Sequence, residues 1–262
     1  MRPRTIAFVI AALLGAALFA RLGVWQVSRL HERQARNAVI RERRAAPPLP
    51  MDSLRVADSM HDWGERHGYL EKLYHRRARI TGVASYNGEV IVAQRTHDGS
   101  PGVWLVTPVR SSENEPATIV VRGWAYSPDG VTVDRARWRE GDNITVEGWL
   151  DEMPGRSPNP YVVKDRPDVL RRLDVVALAE HAGVPLRWVV LWATGPAPTD
   201  PSSGTPARFT LPELDDGPHR SYAIQWFSFA AIALVGAGIV VRNDMRTQHE
   251  TAREPALPAT RV

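Results

Sequence analysis

The sequence predicts a membrane protein in which two transmembrane helices flank a β-rich α+β extracytoplasmic domain, barrel- or sandwich-like. Three observations carry that prediction. Two runs, one near each end of the 262-residue chain, are long, apolar and almost uncharged. Between them lie six short stretches rich in Val, Ile, Thr and Trp, punctuated by turn dipeptides ending in glycine. The basic residues sit beside the apolar runs: residues 45–241 hold 20 Lys and Arg against 24 Asp and Glu, while the whole chain carries +4. Basic flanks around an acidic body suit an anionic membrane surface better than nucleic acid, which would call for a basic face on the body itself. The chain has no cysteine. That excludes disulfide frameworks, thiolate metal sites, Fe–S clusters and thiol catalysis.

The first span is expected over residues 6–25, after a short cytoplasmic N-terminus at 1–5. Ile6 to Ala20 is uncharged, and continuing to Trp25 gives 20 residues, about 30 Å of helix. Arg21 lies near the end of the span, where a long side chain snorkels to the headgroups, and Trp25 suits the interfacial aromatic belt. A cleaved signal peptide is the rival reading. No clean small-x-small site stands directly before Arg21, and the apolar pattern runs past it, which favours a retained anchor. The second span is expected over 221–241, opened by Tyr222 and Trp226 and closed by Arg242. Gly236 and Gly238 would let a partner helix approach closely.

Orientation follows from Arg242, Arg246, Arg253 and Arg261 after the second span, which place a tail at 242–262 in the cytoplasm. Two spans then put the N-terminus there too, with residues 26–220 outside. The six Arg between Arg29 and Arg44 vote the other way, but a long domain translocates largely regardless of its charge.

In the outer domain, residues 26–44 contain no Gly or Pro and read as a helical extension of the first span, stopped by Pro47-Pro48. A second short helix is expected over 52–68. Strands are expected over 79–85, 89–95, 103–109, 118–126, 143–150 and 186–193, with turns at Asn87-Gly88, Asp98-Gly99, Asp129-Gly130 and Glu140-Gly141. Leu173 to Ala182 reads as a helix ended by Gly183, and Pro196–Pro218 as a loop or linker.

Catalytic signatures are missing. There is no nucleophile elbow, phosphate loop or dinucleotide fingerprint, and Asp151-Glu152 and Asp215-Asp216 look like solvated loops. The eight His are scattered, and His61-Asp62 with His67 reads as helix surface rather than a metal site.

Three constellations remain: Leu22-Gly23-Val24-Trp25-Gln26-Val27-Ser28-Arg29, then Val121-Arg122-Gly123-Trp124, then His219-Arg220-Ser221-Tyr222-Ala223-Ile224-Gln225-Trp226-Phe227. Together, in that order, they resemble the surfeit-locus-one family of membrane assembly factors for haem–copper cytochrome c oxidase. The resemblance runs from about residue 22 to 242 and includes Gln94-Arg95 to Thr107-Pro108 and Leu173-Asp174. Departures are Val121 in place of an asparagine, Val103 where an aromatic is common, and His31-Glu32-Arg33 in place of the usual tryptophan-lysine.

The resemblance implies a non-enzymatic role in the cell (inner) membrane, assisting insertion of haem a into oxidase subunit I, with haem a synthase as a further partner and membrane lipids around the spans. It carries a haem-iron ligand onto His219, with Tyr222 and Trp226 on the same helix face as porphyrin contacts. Neutral imidazole is a good axial ligand for haem iron. The alternative for His219 is a cap at the interface, with the aromatics as an ordinary belt. Of the motif residues, Gly23 allows close helix approach, Gln26 and Arg29 are placed to bond across to the second helix or a partner beside Trp25, and Arg122, Gly123 and Trp124 read as support for the outer domain. An extracytoplasmic protein-binding scaffold or sensor without cofactor, and a tethered enzyme, are the competing classes.

Overall fold

A computed structural model describes residues 1–162, 165–196 and 204–253. Segments 197–203 of the expected linker and 254–262 of the expected tail, Arg261 included, lie outside the described residues. The chain forms two compact units, Met1–Ala38 with Leu214–Val262, and Val39–Glu213.

The first unit is a pair of antiparallel helices. Helix α1 runs unbroken over Pro3–Ala45, so the expected apolar span and its polar extension are one element. It stops just before Pro47-Pro48, where the residue preceding a proline is pushed out of the α region. The partner helix, here called α5 in chain order, spans His219–Arg253. Both are long and apolar enough to cross a membrane, and only 11% of each apolar window is buried. Burial on α1 falls on Ala16, Gly23, Gln26 and Asn37. On α5 it falls on Ala223, Ala230, Ala237 and Asp244, every seventh residue. A seven-residue repeat of small side chains makes a narrow seam, which lets two apolar helices approach without a solvent-driven core. Gly23 sets the closest approach: a Cβ built there would lie 2.7 Å from the Phe227 ring. Phe19 stacks on Trp226 at 5.8 Å and tilts against Phe229 at 5.7 Å. Gly236 and Gly238, expected to admit a neighbouring helix, have nothing within 4 Å of a built Cβ.

The second unit is a closed barrel with small helices around it. Its strands are β1 (Leu49–Pro50), β2 (Arg77–Ala84), β3 (Val90–His97), β4 (Ser100–Arg110), β5 (Ala117–Tyr126), β6 (Asn143–Glu152), β7 (Val169–Leu170) and β8 (Leu186–Ala193). The sheet order is β1-β2-β6-β8-β5-β4-β3-β7, and β2 pairs back onto β4 at Val83↔Arg110 and Ala84↔Val109. That pairing closes β2, β6, β8, β5 and β4 into a ring, which settles barrel over sandwich. Strand β2 alternates exposed and buried at every residue, as a barrel wall with one solvated face must. Ile80, Val120, Ile144, Leu150 and Leu191 fill one core, and Val92, Val106, Ile119, Leu170 and Val190 another.

The six expected strands are present, with ends differing by at most three residues. Strands β1 and β7, two residues each, were not expected, because so short a pair carries no periodicity. Asp98-Gly99 forms the tight hairpin, with φ of 48° and 77° pairing His97 with Ser100. Asn87-Gly88 does not join paired strands; it lies in a 3-10 turn at Tyr86–Gly88, because β2 and β3 are not neighbours.

The helix expected over 52–68 is three pieces: a 3-10 turn at Met51–Leu54, α2 at Arg55–Ser59 and α3 at Trp63–Glu71. The break falls at Met60, which is extended, and Asp62 restarts the chain by capping the Glu65 N–H at 2.9 Å. Helix α4, Val175–Ala182, is capped by Asp174 and ended by Gly183 at φ 64°.

The described part of the expected linker is not free. Residues 204–213 form a strap on the barrel, bridging Trp124↔Ala207 and Thr194↔Phe209. Phe209 packs edge-on against Trp192 at 5.2 Å and Trp104 at 5.6 Å, while Trp149 stacks on Trp192 at 5.8 Å. Arg44 donates to the Pro212 carbonyl at 2.6 Å.

Candidate functional site

The first and third sequence constellations meet in the helix pair. Gln26 Oε1 and His219 Nδ1 are 2.8 Å apart. Gln26 is buried because it takes a seam position on α1, and His219 is the first residue of α5. A glutamine oxygen can only accept, so the pair fixes the proton on Nδ1 of the neutral ring and leaves Nε2 with its lone pair. Gly217, at φ 68°, lies beside the Nε2 edge of the ring, where a built Cβ would come 3.6 Å from that nitrogen.

The segment leading into α5 is held from α1 as well. Asn37 Nδ2 donates to the Asp215 carbonyl at 2.8 Å and to Asp216 Oδ1 at 3.2 Å, and Gln34 Nε2 reaches Asp216 Oδ2 at 3.0 Å. Asp215-Asp216, expected as a solvated loop, is a turn tied to α1 through the Asp215 carbonyl and the Asp216 carboxylate, with the Asp215 side chain itself still 76% exposed. At the other end of the pair, the Arg2 backbone N–H donates to Asp244 Oδ2 at 3.2 Å.

The remaining expected residues separate by place. Arg29 does not bond across to α5; it pairs with Glu32 on its own helix at 2.6 Å. Trp25 is exposed on α1 and Tyr222 is exposed on α5, at 54% and 45%. Trp226 is engaged with Phe19 and Phe229, so of the two expected porphyrin contacts Tyr222 is the one left open.

Arg122, Gly123 and Trp124 lie in the barrel. The ladder between β4 and β5 shifts register so that Leu105 opposes Gly123 and Val106 opposes Val121. Arg122 is the extra residue of that bulge, and the bulge turns its side chain into the interior. The guanidinium is fully buried. It bonds Glu89 Oε2 at 2.6 Å, Thr107 Oγ1 at 2.8 Å, Glu140 Oε2 at 2.7 Å and the Trp138 carbonyl at 2.7 Å. Arg208, from the strap, binds the other Glu140 oxygen and the Arg122 carbonyl. Two cations thus face two carboxylates, with Arg122 and Glu89 out of water and Arg208 and Glu140 only partly buried. Burial by itself lowers the pKa of Arg122, but Glu89 and Glu140 outweigh it and hold the charge more firmly than usual. For Arg208 burial prevails, and its pKa is lowered.

Gly123 sits at φ 152°, and a built Cβ would lie 2.4 Å from the Ala207 carbonyl oxygen, so glycine is what admits the strap. Trp124 donates from Nε1 to the Arg95 carbonyl at 3.2 Å. Sequence reasoning missed Glu89, Thr107 and Arg208. The one signal was an arginine inside a Val- and Ile-rich strand, which demands buried acceptors without saying where they lie.

Fold and site together define a class of chain: a β-barrel between two long apolar helices, with a histidine at the head of the second helix held by a glutamine of the first. The chain belongs to the SURF1 family, which matches residues 13–231. An uncharacterised SURF1-like protein of Mycobacterium tuberculosis is 24% identical over 258 residues, covering 97% of this chain and 90% of the relative. The cytochrome oxidase assembly protein SHY1 of Saccharomyces cerevisiae is 27% identical over 177 residues, covering 65% of this chain and 43% of that protein. A SURF1-like protein of Rickettsia felis is 21% identical over 241 residues, covering 90% and 97%.

Proposed function

We propose that the chain is a membrane-anchored assembly factor for haem–copper cytochrome c oxidase that holds haem a through His219 on its way to subunit I. The single observation that carries the haem assignment is the Gln26–His219 pair, which presents a lone-pair nitrogen at the head of the second helix. Gly217 supports it by placing no side chain against that nitrogen's edge, and Tyr222 supplies an aromatic surface one turn away. The assembly role rests on family membership and on the likeness to the yeast cytochrome oxidase assembly protein SHY1. Haem a is cargo here, and the residues act as a carrier rather than a catalyst. Gln26 orients the ring, the helix seam fixes Gln26, and Asn37 fixes the turn that feeds His219.

In this reading both helices span the membrane, both termini are cytoplasmic and the barrel is extracytoplasmic. The Arg2–Asp244 contact supports the paired termini, since it joins the two helices at their ends.

The test is co-expression with a haem a synthase, followed by absorption spectroscopy of the purified chain. The wild type is expected to retain a haem a spectrum, His219→Ala to lose it while melting at the same temperature, and Gln26→Ala to weaken retention by about tenfold. A His219→Ala protein with an unchanged haem spectrum overturns the ligand assignment. Normal oxidase activity in a strain lacking the gene overturns the assembly role.

A further inference from the structure

The barrel unit carries a feature that neither the family motifs nor the haem reading uses. Arg187, on β8, is 2% exposed and lies between Asp58 at 2.9 Å and Glu115 at 2.8 Å. Its Nη1 is buried and has no acceptor. Arg66, on α3, donates to the Met60 carbonyl, and its Nε is likewise buried without an acceptor. Both arginines line one cavity of about 80 Å3, walled by Leu54, Leu70 and Val189.

The charges there do not balance. Of the residues lining the cavity, Arg66 and Arg187 face Asp58, while Glu115 divides its oxygens between Arg187 and Arg55, whose own side chain is 64% exposed. Among the described residues no carboxylate lies within ion-pair distance of Arg66, although Asp62 and Glu65 share its helix. Two orphaned N–H donors and Arg66, a cation with no carboxylate of its own, ask for a single anionic acceptor. At roughly 30 Å3 per water, the cavity admits a group the size of two or three waters. A planar carboxylate fits that volume and the fork geometry of guanidinium donors.

One lining residue belongs to an exposed aromatic pair. Trp188 lines the cavity and packs edge-on against Trp63 at 4.8 Å, yet the two remain 38% and 53% exposed. Exposed tryptophans beside buried arginines are the composition of a protein-binding hot spot.

We propose that this surface docks a partner protein by inserting one Asp or Glu side chain between Arg66 and Arg187, with apolar neighbours of that residue resting on Trp63 and Trp188. The proposal is independent of haem and goes beyond the assembly role by naming where and by what chemistry a partner is held.

The full chain in lipid nanodiscs is titrated, by fluorescence anisotropy, with labelled hexapeptide mixtures that carry a central Glu and varied apolar flanks, and with the matching Gln mixtures. Glu mixtures are expected to bind at least tenfold tighter than Gln mixtures. Trp63→Ala and Arg66→Gln are each expected to weaken Glu binding by about tenfold. These two positions are chosen because Trp63 is exposed and Arg66 has no acidic partner, so the variants fold; unchanged melting temperatures check that. Equal binding of Glu and Gln mixtures, full affinity in Arg66→Gln, or no Glu mixture binding below about 1 mM each overturns the proposal. In the last case the cavity holds water only.

Discussion

The barrel and the helix pair solve opposite problems, and their ion pairs show it. In the barrel, Arg122 meets Glu89 at 2.6 Å with both side chains at 1% exposure or less. In the helix pair, Arg2 approaches Asp244 at 3.8 Å with its own side chain 66% exposed. The barrel excludes water by burying large apolar side chains, so a charge inside it must be matched by charge and hydrogen bonds. The helix pair buries small residues and leaves Leu14, Ile224, Ile232 and Val235 at 60% exposure or more, so its polar contacts stay at the ends. Stability in the first region is a matter of satisfying a buried network. In the second it is a matter of fit along a seam.

The largest effect should separate these two. Arg122→Ala strands Glu89, leaves Glu140 to Arg208 alone, and is expected to cost about 3–5 kcal/mol, read as a loss of midpoint in denaturant unfolding followed by tryptophan fluorescence. Asp244→Ala, which loses a contact to a solvated partner, is expected to cost about 1 kcal/mol or less in the same assay. Equal costs would break the comparison.

One substitution made in both regions sharpens it. Gly123→Ala pushes a Cβ into a backbone carbonyl that cannot move without releasing the strap, at a cost of about 2–3 kcal/mol. Gly23→Ala meets the ring of Phe227, which can rotate, and is expected to cost about 1 kcal/mol. Gly236→Ala meets nothing and should fall within about 0.5 kcal/mol of wild type. Differential scanning calorimetry of the three proteins gives the order directly.

The smallest effect is a pH dependence confined to the barrel unit. Burial lowers the pKa of His75 below its ordinary value, with Asp151 opposing in part. A base depressed on folding contributes its full stability above about pH 6.5 and loses it as pH falls through the window below that value. The melting temperature is therefore expected to drop between about pH 7 and pH 5.5. His75→Asn, chosen because His75 has φ 66° and asparagine tolerates that region, should flatten part of the drop. An identical pH profile in the variant removes His75 from the account.

Much of this architecture was legible in residues. Hydrophobic length marked the two long helices, and alternation with Asp98-Gly99 marked the hairpin, because each depends on near neighbours alone. The break at Met60 was not legible. Residues 52–68 lack a proline or glycine stop there, and the choice between one helix and two is made by packing against the barrel and by the cap at Asp62. Phe209 read as part of a linker for the same reason: a single aromatic between prolines acquires its meaning only from Trp104 and Trp192.

The candidate site divides along the same line. The sequence by itself determined that a glutamine follows the first apolar run, that a histidine precedes the second, and that Arg122 sits in a strand. Only the tertiary structure decided that Gln26 holds Nδ1 of His219, that Arg29 turns back to Glu32, and that a bulge sends Arg122 inward to Glu89 and Glu140. The reason is physical. Helix and strand periods are local properties of a chain, whereas a hydrogen bond between residues 193 positions apart depends on how separate elements pack.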